Sequence, residues 1–180
     1  MLVDGTTLMR KLISQNAKNP VYREKLVDSL IMIHDIRIAN YPKYAVTARN
    51  NKGLDLANYV QNDPERLFKE YQGIVSANKE KTKPTIFLFY FNSAIELFQN
   101  GSISEEEVID VYEQCINYLS AIQPKDEDER AVVDDMKLKI EELFASNNIA
   151  DCDKLIELYT DRKSTRLNFI LLNMRLIRTI

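Results

Sequence analysis

The sequence predicts an all-α fold, an α-α superhelix of three to four stacked helix pairs, and three observations carry that expectation. Glycine and proline number only four and five in 180 residues, well under the roughly 12% combined average that the turns of a sandwich or barrel consume. Apolar residues recur at helical and not alternating spacing along most of the chain. Pro42, Pro84 and Pro124 punctuate it at intervals of 42 and 40 residues, and each interval holds two helical patterns joined by a polar turn. A helix pair of that length cannot bury its apolar faces alone, so successive pairs stack.

Asp4 and Thr6 are candidate caps for a first helix whose apolar face is Leu8, Leu12 and Ile13, ending near Asn16 to Asn19. Asn19-Pro20 opens a long helix with Leu26, Leu30, Ile33 and Ile36 or Ile38 on its stripe, closed by Tyr41-Pro42. Ala45 to Val60 is helical in period and rich in small residues, Gly53 and Ala57 among them. Asn62-Asp63-Pro64 restarts the chain for a helix bearing Leu67, Phe68, Tyr71, Ile74 and Val75, and Asn78 to Lys83 is a polar connection.

The run Ile86-Phe87-Leu88-Phe89-Tyr90-Phe91 resembles a strand taken alone. Its apolar pattern continues through Ala94, Ile95, Leu97 and Phe98 at helical spacing, which predicts a helix from Pro84 to Gln99 buried on most sides. Gly101 ends it. Ser104-Glu105-Glu106-Glu107 matches the capping box, and Val108, Val111, Tyr112, Cys115, Leu119 and Ile122 line the helix that follows. Asp126 to Glu129 place negative charge at the next helix start, where the dipole favours it, ahead of Val132, Met136, Ile140, Leu143 and Phe144. A last short helix is expected through Leu155, Ile156 and Tyr159, capped by the Asp151-Cys152-Asp153 turn.

Little chemistry is encoded. His34 is the single histidine and has no partner at the spacing that zinc or a catalytic dyad requires. No glycine-rich phosphate loop and no Gly-x-Ser-x-Gly elbow occurs. The carboxylates of Asp126 to Glu129 and Asp151-x-Asp153 lack the loop of a calcium site and read as helix caps. The expectation is therefore a non-enzyme without cofactor or metal. A net charge of −3 supplies no general basic field, so nucleic acid is not the expected partner. Cys115 and Cys152 are either two free thiols or a pair. No uncharged apolar run approaches the roughly 18 residues of a membrane span, and the first residues do not form a secretory signal.

The partner expected for such an array is a protein or peptide bound in the groove lined by the first helix of each pair. Candidate contacts are Arg49 and Asn50 in one unit and Phe89, Tyr90 and Asn92 in the next, with Phe87 and Phe91 assigned to the core. Tyr90 is open to either assignment. The alternative is a structural fragment that self-associates or stacks on preceding helices.

Gly53, Leu56, Asp63-Pro64, Phe68 and Tyr71 resemble the small and aromatic residues at which tetratricopeptide helices pack, although the period here exceeds the usual 34 residues. A longer resemblance, to exported tetratricopeptide-like proteins of Bacteroides and relatives, runs from about Asp4 to Thr160. It is carried by Lys25 to Asp28, Ile31 to Ile38, Lys52 to Leu56, Ile103 to Ile109, Leu143 to Ala145 and Ala150 to Leu155. It implies a non-catalytic repeat scaffold of the periplasm or cell envelope, and by comparison this chain lacks a signal and an earlier helix pair.

Residues 161–180 depart from that pattern, with five basic residues against one acid and an apolar row of Leu167, Ile170, Leu171, Met174 and Ile177. Three readings stay open for this tail: a basic amphipathic helix for a membrane or acidic partner, a cap on the last pair, or a non-native extension. Arg162 to Asn168 resembles translated adapter sequence.

Overall fold

A computed structural model describes residues 2–60, 62–147 and 149; the short helix expected after Asp151, Cys152 and the basic tail lie outside the described residues. Among the described residues there are seven α-helices and no strand: α1 (Leu2–Gln15), α2 (Pro20–Asn40), α3 (Ala45–Tyr59), α4 (Pro64–Asn78), α5 (Pro84–Gln99), α6 (Glu105–Ala121) and α7 (Glu127–Ser146). Single 3-10 turns, Pro42–Tyr44 and Lys79–Lys81, lead into α3 and towards α5.

Local chemistry sets most of the boundaries. Asn19 and Asp63 accept the amides of Tyr22 and Arg66 and are each followed by a proline at the first helical position. Ser104 and Glu107 form the reciprocal capping box, and Asp126 accepts the Glu129 amide at 2.8 Å. The first helix differs from expectation. α1 starts at Leu2, so Asp4 and Thr6 lie inside it and do not cap it. Gly5 lies against the Ile33 side chain, so the first turns of α1 pack on α2.

Consecutive helices run antiparallel, as paired contacts show: Phe87 lies near Tyr118 and Phe91 near Tyr112 across α5 and α6. Alternate helices run parallel. Arg10 of α1 reaches Asp55 of α3, Gly53 of α3 faces Ile86 of α5, and Phe91 and Gln99 of α5 meet Phe144 and Asn147 of α7. The even helices form the other layer, with Arg66 of α4 paired to Asp28 of α2 at 2.8 Å. At Gly53 an added Cβ would sit 2.7 Å from the Ile86 Cδ1 atom, so a larger residue here must displace the buried Ile86 side chain.

The core runs between the layers and centres on α5, where Ile86, Phe87, Tyr90, Phe91 and Ala94 are sealed from solvent. Rings of Phe91, Tyr112 and Phe144 form a cluster with centroids 4.4 to 6.5 Å apart, two pairs tilted and one stacked, which adds to area burial. Three apolar stripes are shifted from expectation: Leu8, Ile36 and Val132 are exposed, while Val27, Ile31 and Val133 are buried. On α2 apolar residues surround the axis, so periodicity alone underdetermines the face and the neighbours α1 and α3 select it.

Candidate functional site

α3 is the polar spine of the protein. Its buried residues include Asn50, Lys52 and Asp55, and each is held by groups from neighbouring helices, as buried polar groups must be.

Asp55 is 3% exposed. Its Oδ1 accepts from Arg10 Nε at 2.8 Å, and its Oδ2 accepts from Arg10 Nη2 at 2.8 Å and lies 2.7 Å from His34 Nε2. Burial pushes this carboxyl up, but the hydrogen bonds and charges of His34 and Arg10 outweigh it and hold Asp55 below its usual range. The same fork holds the Arg10 guanidinium above its ordinary value. An ionised carboxylate only accepts, so Nε2 of His34 carries the proton shared with Asp55. His34 Nδ1 is buried without a partner.

A histidine oriented by an aspartate is half of a nucleophilic triad, but here the exposed end is missing. His34 is 1% exposed. The thiol of Cys115 lies elsewhere, donating to the Phe87 carbonyl at 3.7 Å across α5 and α6. It is free and fully buried, and burial raises its pKa, so it is a packed side chain and not a nucleophile. Lys52 forms a second clamp, pairing with Asp35 at 2.6 Å and Glu70 at 2.7 Å and so tying α2 and α4 to α3. Among the described residues no group of three or more His, Cys, Asp or Glu side chains is placed to hold a metal ion, and no helix is long and apolar enough to cross a membrane.

Of the five residues expected to line a peptide groove, Asn50 and Tyr90 are buried and Arg49, Phe89 and Asn92 are half-buried. Asn50 is 7% exposed and its carboxamide is spent on the backbone: it donates to the Lys81 carbonyl at 2.9 Å and accepts the Lys83 amide at 3.0 Å. Arg49 is half-buried and donates to the Asn78 side chain at 3.3 Å. Tyr90 is 1% exposed and packs on Phe68 with centroids 5.4 Å apart; its hydroxyl pairs with Gln72, and burial raises its pKa. It floors an opening of about 220 Å³ between α4 and α6, on the even-helix side and away from the expected groove. Phe89 is half-buried against Tyr71, and Asn92 is half-buried. Tyr90 and Asn50 are thus structural, because a helix packed between α4, α6 and α7 has few exposed positions and the connector after α4 claims the Asn50 amide.

What the sequence reading passed over is that connector. Residues 78–83 form a strap across the start of α3, pinned by two asparagines. Asn78 donates to the Val46 carbonyl at 3.2 Å and to Asn50 at 3.4 Å, and Asn50 grips the far side. The strap presents Lys79, Lys81 and Lys83, all exposed. Lys79 adopts φ 51 and ψ −128, a conformation natural to glycine that costs a side-chain-bearing residue on the order of 1–3 kcal/mol. Thr82 Oγ1 is buried beneath it with no partner. Just ahead of α3 in the chain, exposed Tyr41 and Tyr44 stand with Arg37 and Lys43, whose charges lie 5.4 and 5.9 Å from the Tyr44 ring. The available signal was the Lys-x-Lys-x-Lys spacing.

Neither a family model, nor a curated protein, nor a solved structure matches this chain.

Proposed function

We propose that this chain is a non-catalytic protein-interaction scaffold, built as an α-α superhelix of the tetratricopeptide type. The observation that supports this reading is the alternation of the helices: neighbours antiparallel, every second helix parallel, odd and even helices in separate layers. Stacked helices of this kind present one face of the array to a partner, and the buried ionisable groups of α3, Lys52 and Asp55, are tied up in interhelical clamps. The resemblance to exported repeat proteins adds the cell envelope as the place where it works.

Photo-crosslinkable residues introduced at Tyr41, Lys81 and Leu138, which are exposed, test the proposal in the expressing cells. Discrete crosslinks to other proteins are expected; their absence from all three positions overturns it.

A second reading is favoured by one feature of the first helix pair. Val21, Tyr22, Met32 and Ile36 of α2 and Leu8 of α1 are exposed apolar side chains, from 41% to 67% accessible, as on a pair that stacks against further helices or another copy. Solution mass at two concentrations separates the readings, since a mass that rises with concentration belongs to self-association.

A further inference from the structure

The strap between α4 and α5 has features that its role as a connector leaves unexplained. Lys79 holds a backbone conformation suited to glycine. A connector needs only a turn there, and glycine would make it without strain. Lys81 and Lys83 follow at alternate positions, and all three lysines are exposed while the backbone between them is gripped by Asn50. Rigid presentation of exposed cations on a loop is the arrangement by which a scaffold places binding residues. Lys43, in the turn that leads into α3, and Arg37 of α2 are steadied on the Tyr44 ring.

We propose that this strap, with the Tyr44 cluster beside it, is a docking surface for an acidic segment of a protein partner. This rests on the scaffold reading and names the chemistry of what the scaffold takes. Charge complementarity selects the ligand: the strap carries three lysines and one acid, Glu80, in a chain whose net charge is −3. The length of the cationic track selects a short peptide over a nucleic acid. It comprises three lysines within five residues, Lys79 to Lys83, and the net charge of −3 on the chain opposes a long polyanion.

The test measures binding of fluorescein-labelled hexaglutamate to the full chain by anisotropy. Hexaglutamate is expected to bind at low salt and weaken as salt rises, and the K79Q/K81Q/K83Q variant to lose about tenfold in affinity. Neutralising Lys11, Lys18 and Lys25, exposed cations on the first helix pair, should leave binding unchanged. K79G is expected to raise the melting temperature, by relieving the strained backbone, and yet weaken hexaglutamate. The charge-reversed K79E/K81E/K83E variant, with a far-UV circular dichroism spectrum matching the parent's, should take up hexalysine in its place.

Equal affinity of the Lys79, Lys81 and Lys83 triple variant and the parent overturns the proposal. So does tighter binding of an oligo-dT strand than of hexaglutamate through the same lysines, a low-salt dimer that these substitutions dissolve, or no binding of hexaglutamate. Such a failure with the heteromolecular crosslinks of the previous section intact removes the acidic ligand and leaves the scaffold. Loss of the crosslinks removes the scaffold whatever the peptide does.

Discussion

Replacing Asp55 by asparagine keeps the shape of the side chain and removes its charge, and so isolates what the carboxylate does. In the native protein Oδ1 and Oδ2 accept two bonds from Arg10 and one from His34. An asparagine offers one accepting oxygen, and its amide nitrogen is set against donors that were facing Oδ2. Arg10, with 36% of its side chain exposed, recovers part of its loss by turning to water, but His34 at 1% does not. Breaking a buried, hydrogen-bonded charge pair by removing one partner costs about 3–5 kcal/mol, and rehydration of Arg10 places D55N near the lower end, at about 3 kcal/mol. Urea unfolding followed by far-UV circular dichroism measures this as a lower midpoint at unchanged slope. Hydrogen exchange should rise first in α1, which this clamp fastens to α3. Asp55 is held below the ordinary carboxylate range, so its contribution is complete above the unfolded value of about 3.9 and is lost as the pH falls through the lower folded value. The difference between parent and D55N is accordingly full at neutral pH and shrinks in acid. An R10M/D55L pair should cost less than the sum of its single changes, because the double variant no longer strands the Arg10 charge, while the loss of the His34 bond remains in it. A D55N cost under about 1 kcal/mol, or simple additivity in that pair, refutes the reasoning.

Two glycines should respond in opposite directions in thermal melts. G53A drives a methyl to within 2.7 Å of the sealed Ile86 side chain, and overpacking of about 1–3 kcal/mol exceeds the roughly 1 kcal/mol gained in helix propensity; the I86V background should relieve it. G73A meets nothing within 4 Å and should stabilise by about 0.5–1 kcal/mol. Y90A should cost about 3–5 kcal/mol as a cavity in the core, whereas Y90F loses only the Gln72 bond, about 1 kcal/mol; an unchanged melting temperature for Y90A would return Tyr90 to a groove. Cys115, buried and with its thiol shifted upward, should resist thiol reagents in the native protein and react once urea unfolds it.

Helix boundaries were legible in the sequence wherever side-chain chemistry specifies them. Asn19-Pro20, Asp63-Pro64 and the Ser104–Glu107 box act through bonds to amides three residues away, and all three start the helices expected of them. α1 had no such signal: Asp4 and Thr6 resemble caps, but docking on α2 carries the helix past them. Buried faces were legible on α5 and α6, where one stripe dominates, and poorly legible on α2, where apolar residues encircle the helix and His34 turned out to be core.

The candidate site was the least legible part. Arg49, Asn50 and Tyr90 were expected to contact a peptide, yet Asn50 serves the strap and Tyr90 the core. The sequence by itself determined the all-α character of the described residues and those helix starts that a cap or a proline marks, because caps, prolines and periodicity are local properties. Only the tertiary structure decided which polar residues are clamps and which are displayed. Arg10 lies 45 positions from Asp55 and Asn50 lies 33 from Lys83. Such pairs form only after the helices have packed, and their burial gives an aspartate or asparagine its role.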